Sequence, residues 1–239
     1  MRFMLGLLLL ISTTLFGQNL NNEFASEFEQ KKENTDTFRE YNIVMTNIND
    51  KFYTYLLNPV AKGYKQVVAK DLRVGVSNMY KNIKFPISFI NNLLQLKFKN
   101  SFTELERFCI NTTLGFAGFA DVAKNHFGIE SKEEDFGQTL GFYGFNNTPH
   151  IVLPLLGPSN FRDILGLSAD YFINPLVYIK GRGNLLDSDE ESLYILSFGA
   201  VNEASFNYKI YENLKKDSLN LYILLKNAYE QKRMKEIEE

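Results

Sequence analysis

The stretch DFGQTLGFYGFNNTPHIVLPLLGPSNFRD, Asp135 to Asp163, decides how the chain reads. It mixes glycines and prolines with large apolar side chains and few charges, whereas a surface loop is usually more polar. A single helix does not tolerate so many breakers, since glycine costs about 1 and proline about 3 kcal/mol in a helix interior. The stretch therefore predicts a helix ending near Gly141 or Gly144 and a hairpin-like reversal over Asn146–Pro149. An extended apolar run Ile151–Leu156 follows, and a new helix starts at Ser159 as its N-cap.

Outward from this stretch the periodicity is helical. Before it, Tyr41, Val44, Met45, Ile48, Phe52, Tyr55 and Leu56 recur at three- and four-residue steps, opposite Asn42, Thr46, Asn47, Asn49 and Asp50. Asn58-Pro59 ends or kinks that helix. Short helices follow over Val60–Ala69 and Asp71–Ile83. Pro86–Leu96 is compactly amphipathic: Phe89, Ile90, Leu93, Leu94 and Leu96 fill one half, Ser88, Asn91, Asn92 and Gln95 the other. Such an apolar face ordinarily packs on a core, but it can instead lie in a membrane interface. Ser101–Glu104 and Ser131–Glu134 have the pattern of capping boxes. Gly115 and Gly118 loosen the run between them.

Beyond it, Ile164–Ile173 is helical and stops at Asn174-Pro175. Lys180–Asn184 reads as a loop, and Ser188–Glu191 as a third capping box. That box opens a long helix with Leu193, Leu196, Ala200, Ala204 and Tyr208 inward. A last helix runs from about Asp217, and the charged tail from Lys232 to Glu239 is expected to fray. No internal repeat and no convincing strand pair stands out. The fold class is all-α, with one irregular apolar hairpin.

At 239 residues, the chain has room for one large domain or two small ones. A formal net charge of −2 gives no basic field for nucleic acid. The aromatics are 21 Phe and 13 Tyr with no Trp, enough to build a core or to coat a surface that meets acyl chains. One cysteine, Cys109, excludes an internal disulfide, and its apolar neighbours make burial the default. Two histidines exclude a His-rich metal site, so no metal or other cofactor is expected. Residues 1–17 read as a secretory signal: one positive charge, a short apolar run, then small residues ending at Gly17. The run is short of the roughly 20 residues of a comfortable transmembrane helix. Residues 18–37 form a polar leader.

Catalytic chemistry finds no support. Gly157-Pro158-Ser159-Asn160 lacks the second glycine of a nucleophile elbow. His150, Ser159 and Asp163 are close in sequence, but Ser159 reads more simply as a cap and Asp163 as a partner of the helix dipole. Arg162, Asp163 and Asp170 read as structural ion-pair formers, and Asp121 and Asp135 as caps. No Gly-rich loop ends in Lys-Ser/Thr. The chain is not read as an enzyme.

From about Phe38 onward the chain resembles the MlaA (VacJ) family of outer-membrane phospholipid-transport proteins. The matching residues run in order through Asn58-Pro59-Val60-Ala61, Val76-Ser77-Asn78, Asn92, Leu94-Gln95, Arg107-Phe108 and Asp121-Val122-Ala123. They continue through Asp135-Phe136-Gly137-Gln138-Thr139-Leu140-Gly141, Tyr143-Gly144, Pro149, Pro154, Gly157-Pro158-Ser159, Arg162-Asp163 and a closing segment, Asp217 to Arg233, with Tyr222 and Ala228-Tyr229. The resemblance implies a helical domain over residues 38–233, arranged as a ring (donut) of amphipathic helices at the periplasmic face of the outer membrane. It implies a polar channel for glycerophospholipids, with an outer-membrane porin and a periplasmic lipid carrier as partners, and removal of mislocalised lipid from the outer leaflet. Gly137, Gln138, Gly141, Tyr143, Gly144, Asn146 and Pro149 would form a channel-side hairpin gate. Asn47, Asn49, Asn91 and Asn92 would line the passage. Asp121, Asp135, Pro154, Gly157, Pro158, Ser159, Arg162 and Asp163 form the structural motif. Two departures stand out: Gln18 occupies the place of the lipid-bearing cysteine, and Asn146-Asn147 replaces a more glycine-rich tip. The first leaves open a soluble periplasmic helical lipid-binding or scaffold protein.

Overall fold

The computed structural model describes residues 36–146, 148–178 and 189–239. The signal sequence, nearly all of the leader, Asn147, the Lys180–Asn184 loop and the Ser188 cap lie outside the described residues. Among the described residues ten α-helices carry most of the unit that starts at Phe38. They are α1 (Arg39–Phe52), α2 (Asn58–Val67), α3 (Lys70–Ile83), α4 (Phe85–Leu94), α5 (Phe98–Thr113), α6 (Val122–Phe127), α7 (Phe136–Phe142), α8 (Phe161–Ile173), α9 (Asp189–Asp217) and α10 (Leu221–Glu238). Pro59 does not end the first helix. A π-helical turn, Tyr53–Leu57, carries α1 into α2, the kind of local widening that accommodates an irregular backbone hydrogen-bond ladder.

The fold is mostly helical as expected, and between α7 and α8 the apolar hairpin is a strand pair, where none stood out in the sequence. Strand β1 (His150–Leu153) lies antiparallel to β2 (Gly157–Asn160), with Ile151 opposite Ser159 and Leu153 opposite Gly157. The turn through Pro154, Leu155 and Leu156 is tight, with Leu155 at φ 64° and Gly157 at φ 89°. A left-handed glycine costs little there, whereas Leu155 carries strain. A four-residue strand with a proline across the ladder gives too weak an alternation to read from sequence.

Two asparagines of α1 close the open edge of β1. Asn42 Nδ2 donates to the His150 carbonyl (3.1 Å), and its Oδ1 accepts from the Val152 amide (2.8 Å). One and a half strand steps on, Asn49 repeats the pattern with the Leu153 carbonyl (2.8 Å) and the Leu155 amide (2.7 Å). Each carboxamide offers a donor and an acceptor side by side, as a peptide unit does. Seven helical residues rise about 10.5 Å, which places Asn42 beside β1 and Asn49 beside its end at Leu153 and the turn at Leu155. One helix face thus holds both the strand and the turn that follows it. Tyr53 adds a bond from its hydroxyl to the Leu155 carbonyl (2.8 Å).

These contacts belong to a general inversion. Among the described residues the fully buried apolar side chains are few: Ala61, Ala123, Val152, Leu176, Tyr208 and Tyr222. The buried polar set is several times longer. In α4 the amphipathic face is turned about: Asn91, Asn92 and Gln95 are buried while Leu94 and Leu96 are exposed. In α1 the buried residues are Asn42, Thr46 and Asn49, with Tyr41, Val44 and Ile48 outside. In α9, Leu193, Leu196 and Ala200 are exposed, against expectation, Leu196 and Ala200 to an internal cavity, while Asn202 and Ser205 are buried with Tyr208. Phe116 (85% exposed), Phe172 (72%) and Leu156 (71%) are among many large apolar side chains without cover.

Several caps differ from the sequence reading. Asn160, not Ser159, caps α8, accepting from the Asp163 amide at 2.8 Å. Ser101 lies inside α5 and donates to the Phe89 carbonyl. Glu134 ends no capping box, since α7 is opened by Asp135 and Gln138, which bond reciprocally. Asp121 does cap α6, through the Lys124 amide. Cys109 is exposed. The charged tail is helical to Glu238, and Ile237 packs beside Gly141, where an added Cβ would come within 2.6 Å.

Asn49→Ala removes both partners of a strand-edge peptide and leaves buried groups unpaired at about 1–3 kcal/mol each. It is expected to lower unfolding free energy by about 2–4 kcal/mol in chemical denaturation. The exposed neighbour change Asn47→Ala is expected to stay within about 0.5 kcal/mol of the parent.

Candidate functional site

The described residues enclose a cavity of about 870 Å³ between α3, α4, α5, α9 and the end of α10. Its walls are polar and charged. Lys81, Lys84, Arg107, Lys232 and Arg233 supply cations, while Glu104, Asp121, Glu133, Asp135, Glu203 and Glu236 are among the acids. Phe85, Ile87, Phe108 and Leu196 give it apolar strips. A cavity of this size and mixed character takes an amphiphile's polar end better than a purely apolar ligand.

Most of the wall charges are held. Lys81 pairs with Glu133 at 2.7 Å, and Arg107 pairs with Asp121 at 2.9 Å. Asn111 donates to the same Asp121 carboxylate (3.0 Å) and accepts from the Ala123 amide (2.9 Å). Burial pushes the Asp121 carboxyl up, but the Arg107 and Asn111 bonds outweigh it and leave it below the ordinary range. Glu104 accepts from the Ser131 hydroxyl at 3.1 Å and from the Lys132 amide. Lys84 differs. It sits between α3 and α4 and is exposed to the cavity, yet protein surrounds it, and burial lowers its ammonium below the ordinary lysine value.

One wall of the cavity rests on a charge knot that draws the 135–163 stretch together. The Asp163 carboxylate accepts from Arg162 Nε (2.8 Å), Arg233 Nη2 (2.9 Å), Asn160 Nδ2 (3.0 Å) and the Tyr229 hydroxyl. Arg233 also grips Asp135 with both terminal nitrogens, at 2.8 and 2.9 Å, and bonds Glu236 at 3.0 Å. The starts of α7 and α8 are thus tied to α10 through one guanidinium. Burial pushes Asp163 up, but bonds from Arg162, Arg233 and Tyr229 outweigh it and hold it low. Asp170 makes no ion pair. It accepts from Asn91 Nδ2 (3.0 Å) and the Phe136 amide (3.0 Å), and burial raises its carboxyl.

The proposed gate residues fall into four groups. Gly137 and Gly141 are buried where helices touch: a Cβ on Gly137 would meet Asp163 Oδ1 at 2.4 Å, and one on Gly166 would meet the Gly137 amide nitrogen at 2.4 Å. Gln138 is buried, accepts from the Asp135 amide at 3.0 Å and also borders the cavity. Tyr143, Gly144 and Asn146 lie on the exposed reversal, with the Tyr143 hydroxyl on the Leu94 carbonyl (2.6 Å) and Gly144 at φ 90° in open space. Pro149 follows at the foot of the hairpin, its carbonyl accepting from the Phe161 amide.

The four asparagines are not gathered at the cavity. Asn47 is exposed, and Asn49 holds the hairpin. Asn91 links Thr139 (2.8 Å) with Asp170, and Asn92 donates to the Ser88 and Lys132 carbonyls. Pro154, Gly157, Pro158 and Ser159 build the hairpin, and Ser159 is buried opposite Ile151. His150 lies 3.7 Å from Glu230, and the Asp163 oxygens are taken by guanidinium, carboxamide and phenol. The three do not make a nucleophile–base–acid relay. Among the described residues no His, Cys, Asp or Glu group is arranged to hold a metal ion.

Residues 34–236 match the family model described as MlaA lipoprotein. The Escherichia coli intermembrane phospholipid transport system lipoprotein MlaA is 31% identical over 196 residues, 75% of this chain and 78% of that protein. Its Haemophilus influenzae namesake is 33% identical over 164 residues, 68% and 64% of the two chains. An uncharacterized Rickettsia bellii protein is 29% identical over 214 residues, 89% and 81%. A solved structure described as the structural basis for maintenance of bacterial outer membrane lipid asymmetry superposes with TM-score 0.72. It is 27% identical and covers 85% of this chain and 99% of its own.

Sequence reasoning missed Glu104, Lys84 and Glu203 as cavity residues and Arg233 as the tie between Asp135 and Asp163. The Asp-x-x-Gln pattern at Asp135–Gln138 was a signal for the α7 cap. The depressed Asp163 carboxyl binds fewer protons folded than unfolded as pH falls below about 3.8, so folding loses stability through that window. The melting temperature is expected to drop on acidification below about pH 4. Asp163→Asn should lower stability by about 3–5 kcal/mol at neutral pH and flatten the acid slope.

Proposed function

The chain belongs to the MlaA lipoprotein family, and on that premise we propose that it moves glycerophospholipids out of the outer leaflet of the outer membrane and so maintains lipid asymmetry. The observation that carries the reading is the inverted distribution of side chains. Apolar groups left outside are matched to acyl chains, and a charged cavity within is matched to headgroups. In water each uncovered large side chain forgoes about 1.5–3 kcal/mol of burial. In a leaflet that cost disappears. Among the described residues no helix is long and apolar enough to cross a membrane, which fits a protein seated in one leaflet.

In this reading the helices close as a ring about the cavity, a periplasmic carrier receives the lipid and an outer-membrane porin is the neighbour. Hydrolysis plays no part. Purification in mild detergent is expected to recover glycerophospholipids and a porin with the protein. Recovery in the soluble periplasm without detergent and without lipid would replace this reading with a soluble scaffold.

The reversal Tyr143–Pro149 is the proposed gate, with Gly144 as its hinge, because the glycines before it are fixed by close packing. Cysteines placed at Tyr143 and Leu94 and joined by a short bis-methanethiosulfonate linker, which replaces the reach of the phenol that bonds the Leu94 carbonyl, are expected to abolish restoration of lipid asymmetry in a deletion strain, with recovery on reduction. Full activity of the linked protein rejects the gate.

A further inference from the structure

Among the described residues three charges lining the cavity make no ion pair: Lys84, Glu203 and Glu104, the last held by the Ser131 hydroxyl and the Lys132 amide. Among the same residues the carboxylate of Glu203 accepts only from Asn207, one helical turn along α9. Glu133 and, less strongly, Glu203 oppose the lowering of Lys84 by burial, but Lys84 and Glu203 form no ion-pair contact. Glu133 is engaged by Lys81, and the neighbouring wall charges Arg107 and Arg233 by Asp121 and by Asp135 and Glu236. A cation and an anion that line one cavity without pairing are complementary to a dipolar ion of opposite polarity.

We propose that Lys84 and Glu203 together select a zwitterionic phosphoethanolamine headgroup, Lys84 taking the phosphate and Glu203 the ammonium. The inference rests on the phospholipid-transport reading and adds a headgroup preference to it. A phosphate gains a charge-assisted bond from the ammonium of Lys84. An ammonium donates to the carboxylate of Glu203. Phosphoglycerol offers Glu203 a hydroxyl in place of a cation, and a quaternary choline offers it no N–H. The cavity's other unengaged charge density is not positive enough to favour an anionic headgroup, because acids outnumber bases on its wall.

The test measures binding of dihexanoyl phosphatidylethanolamine, phosphatidylcholine and phosphatidylglycerol, each below its micellar concentration, to the full chain in mild detergent. The parent is expected to bind the ethanolamine lipid roughly fivefold to tenfold tighter than the glycerol lipid. Glu203→Gln is expected to bring that ratio close to one while leaving the glycerol lipid's affinity unchanged or higher. Lys84→Gln is expected to weaken all three by a similar factor. Both side chains reach into the cavity, so circular dichroism and melting temperature should match the parent. If Glu203→Gln is misfolded, Glu203→Ala serves instead, and it should also lose the ethanolamine preference; a folded Glu203→Ala protein that keeps it overturns the selection. A parent that binds all three lipids equally, or a Glu203→Gln protein that keeps the ratio, overturns the selection and leaves lipid transport standing. A parent that binds none of them overturns the transport reading as well. Glycerophosphoethanolamine, which carries the headgroup without chains, is expected to compete weakly. Competition as strong as that of the short-chain lipid marks a site for the free headgroup and overturns the lipid assignment.

Discussion

The Asp163 carboxylate is the point at which the architecture converges. It takes bonds from Arg162, Arg233, Asn160 and Tyr229, and through Arg233 it is joined to Asp135. The α7 cap, the α8 cap and the last helix therefore meet at one buried charge. A charge without water is expensive unless surrounded by donors. Here the donors come from segments distant in sequence, so the demand of one carboxylate fixes their relative positions. Close packing supports it: Gly137 and Gly166 let the two helix backbones approach until a methyl group would not fit.

Around that knot the interior is organised by hydrogen bonding more than by apolar packing. Asn91 bridges Thr139 and Asp170. Gln95 donates to Glu134 and Thr139. Arg73 reaches Ser205 Oγ at 2.8 Å, while Asn202 joins Tyr64, Ser77 and the Arg73 carbonyl. Directional bonds of this kind select one arrangement, because a half-satisfied network costs more than none. They contribute little net stability in water. The apolar exterior supplies the complementary driving force only when a nonpolar medium meets it. Fold and location are therefore linked through one partition of side chains.

The helices were legible because their periodicity survives whichever face is buried. The sidedness was not. In α1 and α4 the apolar stripe is plain in the sequence, but a stripe states only that two faces differ, and habit assigns the apolar one to the inside. Asn91 and Asn92 could be read as lining for the same reason that they are in fact buried: both readings need polar groups on one face. Asp121 and Asp135 were legible as caps since a cap is local. Arg233 was not, because its partners Asp163 and Asp135 lie 70 and 98 residues before it and no short pattern encodes them. The strand pair escaped because its edge is completed by side chains of α1 and not by a third strand.

That last arrangement bears on how the family can vary. The carboxamides of Asn42 and Asn49 hold β1 and the turn that follows it from one helix face. Insertion or deletion of a single residue between Asn42 and Asn49, or between His150 and Leu155, rotates or shifts one site relative to the other. A change of length in this segment thus breaks one of the two pairings, whereas substitution on its outer faces leaves both in place.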